Sequence, residues 1–146
     1  MTVSLHSATR NRLLAIVRPD ITVVDSLLAA EQKDPIVALL TAHDAEQDSI
    51  GLDPIIVALL EAGSDYFMCF GRASESLHDR IDEIVVERGL TQSRQITTTW
   101  HEDETGAEVV EFFVNVAGAR EGALMTAILG ETDNGLAQLL IKQVSG

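Results

Sequence analysis

The chain is short of cysteine, of basic residues and of long apolar runs, and each shortage excludes a class of protein. Its one cysteine, Cys69, cannot form an internal disulfide, and a single thiol is not a zinc site. No window reaches the length of a membrane span, and no apolar signal segment follows Arg10 and Arg12. We therefore expect a protein of the reducing cytoplasm that does not enter a membrane.

The chain has fewer basic than acidic residues. The 23 acidic residues outnumber the 10 Lys and Arg, which gives a formal net charge of −13. Such a charge repels phosphates and anionic lipids, so we expect no direct binding to nucleic acid or membranes. It speeds encounter with a basic protein partner. The alternative is that the acidic surface only keeps the protein soluble.

Catalytic motifs are also missing. The sequence contains no GxSxG, HExxH or GxGxxG pattern, and residues 130–135 lack the lysine and the glycine density of a phosphate-binding loop. We therefore predict no cofactor and assign no catalytic or metal-binding residue.

The clearest structural signal lies in residues 66–89. The apolar run Tyr66–Phe70 is typical of a strand covered on both faces, and Gly71 interrupts it. Ser74 or Ser76 is a candidate cap for the helix that follows, and Gly89 is a natural end for it. The predicted apolar stripe of this helix is Leu77, Ile81, Ile84 and Val85. Together these segments form half of a βαβ unit.

The same pattern recurs along the chain. The predicted strands are residues 36–42, 66–70, 96–100 and 123–129, and residues 44–51 are predicted to be a loop. The other predicted helices are residues 7–17, 22–31, 55–62 and a final helix capped by Asp133 or Asn134. Residues 108–116 fit a helix or a strand, and their position between two strands favours a helix.

These segments predict one α/β domain over residues 1–146. Residues 1–33 would be a helical cover, and residues 34–146 would be repeated strand–helix units. We predict a single, mostly parallel sheet of four or five strands with helices on both faces. A strand at residues 108–116 would instead make the sheet mixed and the fold α+β.

Histidines and carboxylates follow the predicted strands. In open α/β sheets, ligands bind outside the carboxyl ends of the strands. His43, His78 and His101 all fall at this predicted edge, so we expect the three imidazoles to lie close together. One hypothesis is a small enzyme or metal-binding domain that uses His78 and His101. As an enzyme it would use His78 or His101 as the base, and as a metal site it would use His43, Asp44 and His101 with a carboxylate such as Glu102, Asp103 or Glu131.

A second hypothesis is a protein-binding surface at the same edge. Trp100 is followed directly by the acidic segment HEDE, and aromatic anchors dominate interface energetics. The alternatives are a core position for Trp100 and a solvated loop after it. The predicted partner-binding residues are Asp44, Asp79, Trp100, His101, Glu102, Asp103, Glu104 and Glu131. A third hypothesis is a structural homo-oligomer.

Two segments, CFGRASESLHDRIDEIV and TTTWHEDETGAEVVEFF, resemble a small family of uncharacterised bacterial domains. That family shares a Leu-His-Asp and a Thr-Thr-Trp-His-Glu-Asp segment, and the resemblance covers about the second half of the chain. It implies a bacterial origin and no known activity. In size and acidity the chain also resembles bacterial toxin-immunity proteins. The net charge of −13, the missing catalytic motifs and the acidic segment beside Trp100 lead us to expect an immunity or antitoxin-type protein that neutralises a basic toxin or nuclease.

Overall fold

The computed structural model describes residues 3–31, 35–43 and 45–145, without the side chains of residues 45–50 and 131. Within these residues, six strands form one mixed sheet in the order β1-β2-β6-β3-β4-β5. The strands are β1 (Ser4–Ser7), β2 (Leu13–Val17), β3 (Ile36–Thr41), β4 (Tyr66–Phe70), β5 (Thr97–His101) and β6 (Leu124–Ile128). Only the β1–β2 pair is antiparallel; the other neighbours run parallel. The sheet therefore has more strands than the four or five expected.

Helices cover both faces of the sheet. They are α1 (Ile21–Glu31), α2 (Ala45–Glu61), α3 (Ser74–Glu87), α4 (Gly106–Phe112) and α5 (Asn134–Ser145). A π-helical segment (Phe113–Ala117) continues α4, and a 3₁₀ turn (Glu131–Asp133) precedes α5. Helices α1, α2 and α3 pack on one face, and α4 and α5 pack on the other. In the described part of the chain, no helix combines the length and apolarity needed to cross a membrane.

The strand predictions rest on burial from both sides. All six residues of β3 are buried. Ile36, Ala38 and Leu40 contact the layer of α1, α2 and α3, whereas Val37 and Leu39 contact the layer of α4 and α5. A strand covered on both faces gains nothing from polar alternation, which explains its continuous apolar run. The four predicted strands are confirmed to within a residue at most ends.

The predicted N-terminal helical cover is half correct: α1 confirms the helix at residues 22–31 and packs on the sheet, but the first predicted helix is absent. Residues 7–17, predicted to be a helix, contain the end of β1, a turn and β2. Arg10 and Asn11 have φ angles of 65° and 59°, which reverse the chain between the two strands. Arg12 is buried, and its Nη1 donates to the carbonyls of Val114 (2.6 Å) and Gly118 (2.7 Å). This strand pair adds two strands to the sheet, because β2 pairs with β6.

The helices correct two local predictions, the loop at residues 44–51 and the serine cap of α3, and confirm a third, the helix at residues 108–116. The predicted loop at residues 44–51 is helical from Ala45 onward, so α2 begins before the helix predicted at residues 55–62 and contains Pro54. Neither predicted serine caps α3: its N-cap residue is Ala73, and Ser74 is buried. Residues 108–116 are helical, as favoured above. Their helix begins with a capping box in which Thr105 and Glu108 exchange hydrogen bonds, which lowers the pKa of Glu108.

Candidate functional site

The carboxyl ends of the five parallel strands share one edge of the sheet. Strand β6 lies between β2 and β3, although it is the last strand in the chain. The helices that follow β2 and β3 pack on one face, whereas α5, which follows β6, packs on the other. In open α/β sheets, such a change of direction leaves a crevice between the loops. Side chains at the ends of β3 and β6 therefore meet there.

Thr41, His43 and Asp133 form a hydrogen-bonded group at this point, which we call the Asp133 cluster. Asp133 Oδ2 accepts from the Thr41 hydroxyl (2.6 Å) and from the Gly130 N–H (3.0 Å). Asp133 Oδ1 lies 2.8 Å from His43 Nε2. The Asp133 side chain is 7 % exposed, whereas the imidazole of His43 is 45 % exposed. The carboxylate is thus a buried acceptor that joins the loops after β3 and β6.

Gly71, directly after β4, packs against the same cluster. Its φ angle is +116°, a region that side chains rarely adopt. A Cβ atom at this position would clash with the carbonyl oxygen of Ala42 and lie 2.7 Å from His43 Nδ1. Glycine is therefore required both by the backbone conformation and by the close approach of the His43 ring.

His101, at the end of β5, has different neighbours. Its Nδ1 lies 2.5 Å from Glu104 Oε2, and its Nε2 lies 2.9 Å from the Thr99 hydroxyl. The ring packs against Phe112 of α4, with centroids 5.8 Å apart, and the residue is buried. His101 is therefore part of the packing between β5 and α4.

Trp100 points to the opposite face of the sheet. Its ring lies 4.6 Å from the ring of His78 of α3, measured between centroids, and the residue is 45 % exposed. His78 is only 16 % exposed, with Nδ1 3.1 Å from Asp79 Oδ1 and Nε2 3.6 Å from Asp82 Oδ2. A half-exposed tryptophan is thus held at the sheet edge by a histidine that two exposed carboxylates contact.

Exposed acidic residues extend from Trp100 in two directions. On one side, Asp79 and Asp82 contact His78, whose ring packs against Trp100. On the other, the exposed segment from Glu102 to Glu104 begins two residues after Trp100 in the chain. We call this group the acidic surface; it consists of Asp79, Asp82, Trp100, Glu102, Asp103 and Glu104. Five of its six residues carry a carboxylate, so its charge is strongly negative.

The expected meeting of His43, His78 and His101 is wrong. Each imidazole contacts a different carboxylate: Asp133 for His43, Asp79 and Asp82 for His78, and Glu104 for His101. His78 and His101 lie on opposite faces because consecutive residues of a strand, here Trp100 and His101, point to opposite sides. Within the described ranges, no three His, Cys, Asp or Glu side chains form a group that could hold a metal ion.

Most predicted partner-binding residues can be placed. Asp79, Trp100, Glu102, Asp103 and Glu104 belong to the acidic surface, whereas His101 is buried beside it. Glu131 begins the 3₁₀ turn before α5, and its side chain is outside the described part of the structure. Asp44 lies outside the described residues altogether.

The sequence reasoning missed the Asp133 cluster and the contribution of Asp82. Asp82 follows His78 by four residues, a spacing that places the two side chains on one side of a helix, so this signal was present. Thr41 and Asp133 each follow a predicted strand, but their contact depends on β6 lying beside β3. No pattern in a single sequence gives that order.

We expect Asp133 to stabilise the fold through its three partners. Asp133→Ala leaves the Thr41 hydroxyl and the Gly130 N–H without their acceptor, at a cost of about 2–4 kcal/mol in the free energy of unfolding. Asp133→Asn retains one acceptor oxygen and should cost less. Asp103→Ala, an exposed control, should change stability by less than about 0.5 kcal/mol. Urea denaturation measures all three; equal values for Asp133→Ala and Asp103→Ala would contradict this role.

Comparisons with known proteins place the chain in a family. A search of curated proteins finds no match. The fold is similar to the crystal structure of a domain assigned to a UDP-N-acetylmuramate:L-alanyl-gamma-D-glutamyl-medo-diaminopimelate ligase from Haemophilus ducreyi 35000HP. The TM-score is 0.56 at 13% identity, and the match covers 98% of this chain and 99% of that one, which shows a shared fold alone. The model of a family described as a domain of unknown function, DUF7684, matches residues 18–140, so the chain belongs to that family.

Proposed function

We propose that this protein is a cytoplasmic protein-binding domain of the immunity or antitoxin type, which neutralises a basic bacterial toxin or nuclease. The observation that carries the proposal is the exposure of Trp100 within the acidic surface. It is the only tryptophan of the chain, and it lies at the edge of the sheet with its ring against His78. Tryptophan is enriched among the residues that dominate interface energetics.

The geometry favours an anchor with a charged rim. His78 and the two carboxylates that contact it limit the movement of the tryptophan ring, so little conformational entropy is lost when a partner covers it. The surrounding carboxylates are exposed, and such rim charges act mainly on the association rate and on partner choice. An acidic rim therefore selects a basic partner at long range, and the indole contributes affinity after contact.

A toxin that cleaves nucleic acid supplies the matching chemistry. Its substrate cleft must attract phosphates, so the cleft is basic and is complementary to a surface of carboxylates. The net charge of −13 extends that attraction beyond the surface itself. The single cysteine, Cys69, is free and buried, and a protein without disulfides fits the proposed cytoplasmic location.

A second candidate is a small-ligand or catalytic site at the Asp133 cluster. The observation that favours it is the position of the cluster, where the strand order reverses and open α/β sheets bind ligands. One variant distinguishes the two candidates. Asp133→Asn should leave the affinity for the partner unchanged if the acidic surface binds the partner, and should abolish small-ligand binding or catalysis if the Asp133 cluster is the functional site.

Site-specific photo-cross-linking in the source cell tests the proposal. A photoreactive phenylalanine replaces Asp103 in one variant, so that Trp100 is kept, and Val116 in the control; Val116 is exposed and belongs to the π-helical segment that follows α4. We expect position 103 to give one major adduct with a basic protein and position 116 to give none. Equal adducts from both positions would contradict the proposal. An adduct with a second copy of this chain would favour the homo-oligomer instead.

A further inference from the structure

The acidic surface borders a free edge of the sheet. Among the described residues, β5 pairs with β4 on one side and has no strand on the other. Its sequence, TTTWH, contains no lysine and no proline, and its register with β4 is continuous over all five residues. Natural edge strands are commonly protected by lysine, proline or a bulge. Strand β5 has none of these features.

The hydrogen bonds show which backbone groups face outward. The Thr97 N–H donates to the carbonyl of Asp65, the residue before β4, at 2.9 Å. Successive residues of a strand direct their backbone groups to alternate sides, so Thr97, Thr99 and His101 face β4. Thr98 and Trp100 therefore each present one N–H and one C=O at the outer edge of the sheet.

We propose that the partner binds by adding an extended basic segment to the outer edge of β5. This inference rests on the proposed function and specifies how the partner docks. Charge decides the chemistry of the added strand: Asp79 and Asp82 lie on the α3 side of β5, and Glu102 and Asp103 lie at its carboxyl end. An acidic added strand would meet like charge at both places. Backbone pairing supplies affinity in this recognition mode, and alternate side chains supply selectivity.

The other edge of the sheet fits such a segment less well. Strand β1 has four residues, and its exposed apolar side chain is Leu5. Arg10 is exposed in the turn after β1, so a basic side chain is present near that edge. A basic segment therefore finds both an aromatic anchor and complementary charge only at β5.

Amide exchange measured by NMR tests the docking mode on the whole protein. The probe is a synthetic heptapeptide of alternating lysine and valine, and the control is the same peptide N-methylated at every residue. We expect the first peptide to slow exchange of the Thr98 and Trp100 amides by about tenfold or more at saturation, and the control to leave both unchanged. The amides of Thr97 and Thr99 should be protected already in the free protein.

Three other outcomes overturn the inference in distinguishable ways. Shifts at Asp79, Glu102 and Asp103 without protection of Thr98 and Trp100 would exclude strand addition and leave the acidic surface as the binding site. Protection of β1 amides instead would place the added strand at the wrong edge. Absence of any shift would contradict both strand addition and the proposed function.

A variant pair tests the same contact with the cross-linked partner. Thr98→Pro removes one outward N–H without changing any charge, and we expect it to weaken binding about tenfold or more. Thr98→Val keeps the N–H and the shape of the side chain, so its affinity should stay within about twofold. Equal affinities of the two variants would exclude pairing at Thr98, even if charge variants of the acidic surface weaken the complex.

Discussion

Replacing Glu102 and Asp103 together by lysine should weaken binding to the basic partner by about 3 kcal/mol, which is more than a hundredfold in Kd. The two carboxylates follow Trp100 at the end of β5 and are exposed, so the change places two positive charges beside the proposed anchor. Repulsion from a basic partner then replaces attraction. Most of the loss should appear in the association rate and should shrink as salt is added, because salt screens exposed charges.

A matched variant separates local charge from net charge. Asp25→Lys with Glu121→Lys changes the formal charge by the same amount, at exposed positions in α1 and in the turn before β6. This control should keep most of the affinity. Both double variants should unfold at nearly the same urea concentration as the parent protein. Equal loss of binding in the two variants would mean that the partner responds only to overall charge, and the acidic surface would have no special role.

Replacing Gly71 by alanine should lower the free energy of unfolding by about 2–5 kcal/mol. One part of the cost is the positive φ angle, which a Cβ atom makes unfavourable by about 1–2 kcal/mol. The other part is the clash with the Ala42 carbonyl and the His43 ring, which adds overpacking strain of about 1–3 kcal/mol. Urea denaturation monitored by circular dichroism measures the sum.

Gly63→Ala isolates the backbone part of that cost. Gly63 has a φ angle of +103°, close to that of Gly71, but a Cβ atom there has no neighbour within 4 Å among the described residues. We expect this variant to lose only about 1–2 kcal/mol. Equal free energies of unfolding for the two alanine variants would mean that the close packing of Gly71 against His43 does not contribute to stability.

Strands covered on both faces were predictable because their composition reports their environment. Residues 36–41 and 66–70 are short, apolar and bounded by turn residues, and both are parallel strands inside the sheet. Residues 13–17 carry a similar apolar run, LLAIV, but the charged residues before it favoured a helix. Their position beside β6 depends on long-range pairing, which no local pattern contains.

The candidate site was predictable in its residues and not in its arrangement. Trp100 and its acidic neighbours were recognisable from the chain alone, since they are adjacent in sequence. Consecutive residues of a strand point to opposite faces, so the separation of Trp100 from His101 could have been predicted from the sequence. The contact between Asp133 and Thr41 was not, because residues 92 positions apart meet only after the last strand inserts beside β3.

Fluorine NMR of 5-fluorotryptophan-labelled protein tests the central claim most directly. The chain has one tryptophan, so a single resonance reports on Trp100, and an unlabelled partner contributes no signal. In the free protein the resonance should shift between H₂O and D₂O, because the ring is about half exposed. We predict that saturation with the cross-linked partner moves the resonance and removes that solvent dependence. An unchanged resonance in the saturated complex would contradict a binding surface centred on Trp100.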